Sequence, residues 1–484
     1  MNSNKKFMLQ EISLAEYGEF VNVYRGNGIL SVADEAKKIP LACTFEAGQR
    51  IDGKIILLCH ELPRGFSFYF RIGGEKAKKF EGKTEEGYLI RSNEAERGLN
   101  RMGYLPKSKR NDENLAFNLT ELSIFYSEGK CHELHFGISN FEFDKNDSLD
   151  NGKDDKIIIP LTKEEKIEIS FKKLNDYDNK INRIWTLRGI DVTCELILKI
   201  SNKNDLNKLI ELIDDICFLL SVKNGTKITW IYYDIFDKNG DTISRNHTWK
   251  VTKAYQPLDI FYLNKLCTMT TKKFLEESYL HFMDYREILR LKRGVIDAYL
   301  DAKAESDYIE TRGGKIALAI EFLKNEYLAS KGQDSEYVIP PADFEKYRES
   351  IHQVLFCLLK LQGLKENKQI ESISDKNKIF QLNRRSFRNI FTEIVRKFDI
   401  SITEDEITLF INCRDSLVHR GNFYCKTCQN DEKQKCEPLH SYMSEYFFMV
   451  NMLDRIFLKI LGQDDKTIKV DWRNPSEKMK NWLK

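Results

Sequence analysis

Residues Thr403–Gly421 read TEDEITLFINCRDSLVHRG, and the tail Asn422–His440 reads NFYCKTCQNDEKQKCEPLH. Thr403 and Glu406 form a Ser/Thr-x-x-Glu capping box, so a helix begins just before Ile407. Its apolar stripe runs Ile407, Phe410, Ile411, Leu417 and Val418, with Arg414 in the middle. Arg414 thus occupies a position whose period demands a core residue, where a guanidinium costs free energy unless it is paired or faces a polar cleft. Gly421 stands where a C-terminal cap belongs, which places His419 and Arg420 in the last turn, where the helix dipole favours cations.

Upstream of this helix the same periodicity recurs. Ile316, Ile320, Leu323 and Tyr327, then Phe387, Phe391, Ile394 and Phe398, repeat at four, three and four, and Ile288, Leu291, Val295 and Tyr299 do nearly the same. These amphipathic helices need one another to bury their stripes, which predicts a helical bundle over 263–484. No internal repeat, heptad run or low-complexity tract is apparent.

The first half reads differently. Lys54–Leu58, Ser67–Arg71, Lys156–Pro160, Ile167–Phe171 and Val192–Ile200 are short β-branched or aromatic runs between glycine-bearing and acidic loops such as Asp144–Asp155. A helix is expected over 204–222, stopped at Asn224-Gly225, and then a hairpin over 228–251 turning on Asn239-Gly240. The fold class is therefore α+β: an antiparallel β-rich N-terminal domain, 1–262, followed by the helical domain.

The totals narrow the function. With 76 basic and 74 acidic side chains the net charge is +2, so any polyanion must be gripped by a local patch. Eleven scattered cysteines, no signal-peptide pattern at the N-terminus and no apolar run near the ~20 residues of a membrane helix suggest a reduced, cytoplasmic setting. No Walker loop, Rossmann glycine pattern or HEXXH motif is present.

Cys425, Cys428, Cys436 and His440 follow as Cys-x2-Cys-x7-Cys-x3-His, a donor set that suits a closed, structural zinc site. The alternative is unconnected thiols and a surface histidine. Arg384, Arg385 and Arg388 offer a phosphate-binding patch, with Arg384 and Arg388 on one helix face, or else a solvated face. Glu310–Lys315 reads as a helix start able to hold an anion, or as a turn between helices. In Cys131–His135, His132 faces away from Cys131 and His135 on a strand, so this segment reads as strand surface.

Spacing alone favours a plain reading of Arg414 and His419, an ion-paired arginine and a helix-end histidine. The segment nonetheless resembles the HEPN superfamily, whose ribonuclease members carry an Arg, a polar residue and a following His at the end of a helix in a bundle; Arg414, Asp415 and His419 match. Phe387–Phe423 resembles the HEPN domain of ApeA-like abortive-infection proteins in particular. Arg50–Leu57 and Phe80–Thr84 with Gly87-Tyr88 are similar to the glycine-marked strands of the ApeA N-terminal domain.

The resemblance implies metal-independent cleavage of RNA by attack of the 2′-hydroxyl, leaving a 2′,3′-cyclic phosphate, with no catalytic metal. His419 would be the acid/base, Arg414 the phosphate clamp and Asp415 an orienting group; Arg384, Arg385, Arg388 and Arg420 would hold RNA, tRNA being one candidate. Residues five apart point about 140° apart on one helix, so a homodimer is expected to complete the site. The family role implied is an antiphage effector, restrained or triggered through its N-terminal domain by a phage-derived signal. The alternative is an inactive HEPN scaffold that binds RNA, a nucleotide or a protein partner.

Overall fold

The computed structural model describes residues 14, 18–34, 37–63, 79–93, 95–97, 112–143, 156–162, 164–187, 189–200, 205–250, 260, 269–291, 294–304, 308–332, 335–362, 376–425, 439 and 441–470. The protein is α+β, with a large antiparallel sheet in the N-terminal region and helices in the C-terminal region. It divides into two compact units, Met1–Asp259 with Thr268–Glu276, and Ile260–Cys267 with Glu277–Lys484.

In the first unit the strands are β1 (Phe20–Asp34), β2 (Lys37–Arg50), β3 (Ile55–Pro63), β4 (Lys79–Thr84), β5 (Leu89–Ser92), β6 (Ala95–Arg97), β7 (Asp112–Leu119), β8 (Glu121–Phe125), β9 (Glu133–Ser139), β10 (Lys156–Pro160), β11 (Lys166–Lys173), β12 (Val192–Lys199), β13 (Thr229–Phe236) and β14 (Thr242–Thr248). Helix α1 (Tyr177–Leu187) precedes β12, and α2 (Leu206–Asn224) precedes β13. Among the described residues the strands form one sheet, ordered β10-β11-β12-β9-β13-β14-β8-β5-β4-β1-β2-β3-β7-β6. Alternation drives it: Ile157 and Ile159, Ile167, Ile169 and Phe171, and Leu122 and Ile124 are buried while their neighbours are more exposed.

Four of the five expected strand runs fall in β3, β10, β11 and β12. Ser67–Arg71 and Asp144–Asp155 lie outside the described residues. The two glycine-marked pieces are hairpin turns, β2 to β3 and β4 to β5. Gly53 has φ +85° and lies against the Lys250 carbonyl, where a Cβ would come within 1.9 Å, so only glycine fits.

The sheet folds over itself. The fully buried Gln49 amide of β2 donates to the carbonyls of Ile231 (2.8 Å) and Thr248 (2.9 Å), on strands far from β2 in the sheet order. Its Oε1 must therefore accept from His247 Nδ1 at 2.7 Å, and His247 Nε2 accepts from the Tyr24 hydroxyl at 3.2 Å. Burial, reinforced by Arg245, pushes the His247 pKa down to about 3.

The folded state thus holds His247 neutral, a contribution to stability that is whole above the unfolded value of about 6.5 and is lost as pH falls towards 3. Unfolding free energy measured by urea titration should fall between pH 6.5 and 4, and His247→Gln should flatten that slope.

The helical unit contains most of α3 (Thr271–Arg286), a π-turn (Glu287–Leu291), α4 (Val295–Lys303), α5 (Ile309–Lys331), α6 (Pro341–Leu361), α7 (Lys376–Gln381), α8 (Phe387–Lys397), α9 (Glu404–Arg420), α10 (Tyr442–Ile460) and a 3₁₀ turn (Asp465–Ile468). Helix α10 is apolar nearly all round and buried almost throughout. The stripe Ile288, Leu291, Val295 and Tyr299 is not one helix: Gly294, at φ +62°, breaks it between the π-turn and α4. Glu310–Lys315 forms the first turns of α5, as the helix-start reading expects, and Gly313 lies close against the Leu417 and Phe423 side chains.

Candidate site at the end of α9

Helix α9 starts and stops where its sequence dictates. Thr403 and Glu406 exchange both capping-box hydrogen bonds, and Gly421 closes the helix in the left-handed conformation at φ +66°. Three groups hold its start. The fully buried Arg455 of α10 reaches Glu406 (3.2 Å), Asp465 (3.3 Å) and the Ser401 carbonyl, and Asp465 accepts from Ser401 N at 2.9 Å.

Helix α8 is capped by Ser386, which accepts from Asn389 N. It stacks on α9 through an aromatic ladder, Phe387 to Phe391 (5.6 Å between centroids), Phe391 to Phe410 (4.9 Å) and Phe410 to Phe448 of α10 (6.5 Å).

Arg414 ends this ladder. Its guanidinium lies 4.6 Å from the Phe387 ring centroid, donates to Asp415 Oδ1 at 2.6 Å and is ion-paired with Glu321 of α5. The side chain is only 11% exposed, and its buried Nε has no partner among the described residues. The arginine on the core-facing stripe is thus paired, as its position requires. Glu321 also takes Lys324 Nζ at 2.7 Å, so the local charges balance.

His419, one turn on, is exposed and makes no hydrogen bond or ion pair with the described residues; Arg420 is likewise exposed. Within one chain, Arg414 and His419 are not brought together.

The expected arginine patch is rearranged. Arg384 precedes α8, bridges to Tyr337 in a short β-contact and lies 3.7 Å from Glu336, so it does not share a helix face with Arg388. Instead Arg385, Arg388 and Arg396 line a groove of about 720 Å³ with Tyr337, Val338, Asn389, Thr392, Glu393 and Glu404. Arg385 is paired with Glu393, and Arg388 donates to Thr408 of α9 at 3.1 Å. Arg388, which lines the groove, follows Phe387, whose ring lies against Arg414.

Sequence reasoning missed Glu321, Phe387 and Arg396. Arg396 shares a face of α8 with Asn389 and Thr392, seven and four positions earlier, whereas Arg385 precedes that helix. Glu321 had no local signal.

Cys425 is buried, and the amides of Cys425 and Tyr424 both donate to the Glu445 carboxylate of α10 at 2.9 Å. Cys428, Cys436 and His440 lie outside the described residues, so only one of the four expected ligands is placed. Among the described residues no three His, Cys, Asp or Glu side chains gather as a metal site. In Cys131–His135, both ring nitrogens of His135 face carboxylates, Glu133 at 3.1 Å and Glu195 at 3.7 Å.

Comparison with protein-family models, curated proteins and solved structures finds no match. Among the described residues no helix is long and apolar enough to cross a membrane.

Proposed function

We propose that the helical unit is a HEPN-type endoribonuclease that cuts RNA without a catalytic metal. The observation that carries this reading is the pairing of a fixed, aromatic-backed Arg414, with an unused buried Nε, and a solvent-facing His419 at the end of the same helix. A guanidinium, always charged and forked, supplies donors to a phosphate oxygen.

In this mechanism the ribose 2′-hydroxyl attacks the adjacent phosphorus and the bond to the 5′-oxygen of the next nucleotide breaks, leaving a 2′,3′-cyclic phosphate and a 5′-hydroxyl. His419 moves the proton between the 2′-hydroxyl and the departing 5′-oxygen as a general acid/base, and Arg414 stabilises the charge that builds on the phosphate. Asp415 is a positioning residue, since it holds Arg414. The groove of Arg385, Arg388 and Arg396 would carry the flanking strand, with Arg384, just before α8, and the exposed Arg420 at the far end of α9 as further contacts. Arg414 and His419 diverge by about 140°, so a homodimer supplies the histidine of one copy to the arginine of the other.

Cys425, Cys428, Cys436 and His440 would hold a structural zinc. The fit rests on donor chemistry and on Cys425, whose backbone the Glu445 carboxylate pins in the buried turn after α9. The sheet unit would restrain the nuclease or receive a phage-derived trigger in the cytoplasm, making the protein an antiphage effector.

One observation favours a second reading. Arg414 is already neutralised by two carboxylates, as in a purely structural ion pair, which suits a HEPN scaffold that binds RNA, a nucleotide or a protein partner without cutting. Matched single strands separate the two. The protein should shorten RNA and spare DNA of the same sequence, which lacks the 2′-hydroxyl. RNA bound at full length would favour the scaffold.

A further inference from the structure

The groove along α8, about 720 Å³, is of a size to take a nucleotide, and its lining offers more than cations. Arg388, Thr392 and Arg396 follow one another every four residues, so the two arginines stand about 12 Å apart along the axis of α8. That spacing suits separate phosphates of one strand. Arg388 makes a single bond to a neutral hydroxyl, that of Thr408, and the Arg396 side chain makes no hydrogen bond or ion pair among the described residues. Arg385 differs. It is ion-paired with Glu393 and donates to the Ser335 carbonyl at 3.1 Å, so it belongs to the wall of the groove.

Tyr337 and Val338 complete that wall, and their backbone is fixed from behind. The buried Asn383 amide donates to the Ile339 carbonyl (2.7 Å) and accepts from Ile339 N (2.9 Å), while Val338 N donates to the Asn383 carbonyl (2.8 Å). Tyr337 packs on Phe380 with ring centroids 5.6 Å apart, yet Val338 is 66% exposed. A pinned backbone carrying an aromatic ring and an exposed apolar side chain offers a face on which a nucleobase can lie.

Glu404, in the first turn of α9, also lines the groove, and its carboxylate has no partner among the described residues. A carboxylate only accepts hydrogen bonds. It would repel a uniformly anionic ligand such as an acidic peptide, whereas a nucleotide brings phosphates for the arginines and N–H donors for the carboxylate. Guanine alone among the RNA bases sets two adjacent donors, N1–H and the 2-amino group, against both oxygens of one carboxylate.

We infer that the groove reads a guanosine of the bound RNA strand: its base lies against Tyr337 and Val338, its edge on Glu404, and neighbouring phosphates on Arg388 and Arg396. The use of this subsite in choosing where RNA is cut rests on the nuclease reading; its binding of RNA does not.

Fluorescence anisotropy of the full chain with labelled 2′-O-methyl oligouridine, with and without a single internal guanosine, separates the two, because these strands have no 2′-hydroxyl to attack. The guanosine strand should bind at least about fivefold more tightly, and inosine in its place, lacking the 2-amino group, should lose most of that advantage. Glu404→Gln, with unchanged circular dichroism, should bring the two strands within about twofold of each other. Arg396→Ala should weaken both alike and lower the slope of log affinity against log salt by about one. Equal binding of the two strands by the wild type, or inosine equal to guanosine, would overturn the base reading, and a preference that survives Glu404→Gln would overturn its assignment to this groove. A guanosine preference in protein that cuts no RNA would keep the subsite and remove the nuclease.

Discussion

His419→Ala protein should fold as the wild type does and lose RNA cleavage by about 10²- to 10⁴-fold, the usual share of a general acid/base. The separation of the two effects is what makes this variant informative. His419 is exposed, contacts no described side chain through a hydrogen bond or ion pair, and is not the residue that caps α9, a task that falls to Gly421. Removing its ring should leave thermal unfolding within about 0.5 kcal/mol of the wild type. Arg414→Ala lacks this clarity, because it also removes the ion pair with Glu321 and uncovers Phe387. Cleavage by His419→Ala at the wild-type rate would remove the histidine from the chemistry.

Arg455→Ala should cost about 3–5 kcal/mol, the loss expected when one member of a buried ion network is removed. Arg455 and Asp465 are both fully buried, and Arg455 joins Glu406, Asp465 and the Ser401 carbonyl. Alanine there leaves the Asp465 carboxylate with Ser401 as its closest remaining donor and a cavity inside α10. A domain has only about 5–15 kcal/mol in all, so the helical unit of this variant should unfold at a much lower denaturant midpoint. Because the network anchors the first turn of α9, the end carrying Arg414 and His419 should fail with it. A loss under about 1 kcal/mol would mean that Arg455 does not fix the helix start.

The boundaries of α9 were legible because they depend on local chemistry: Thr403 and Glu406 at one end, Gly421 at the other. The turn from Asp237 to Asp241 and the stop at Gly225 were legible for the same reason. What depends on distant partners was not. The continuous sheet needs pairings such as β1 with β4 and β12 with β9, and α1 carries a single buried residue, Ile184, too little for a stripe.

Arg384 left its helix face because Ser386, two residues later, is the better cap. At the candidate site, the sequence showed an arginine out of place but not the Glu321 and Phe387 that hold it.

Mapping the ends of cut RNA tests the nuclease most directly. Cellular RNA incubated with the protein, with and without a brief exposure to chelator, should acquire discrete new 2′,3′-cyclic phosphate and 5′-hydroxyl ends in equal yield under both conditions. Ends bearing 5′-phosphates that vanish with chelator would contradict the mechanism.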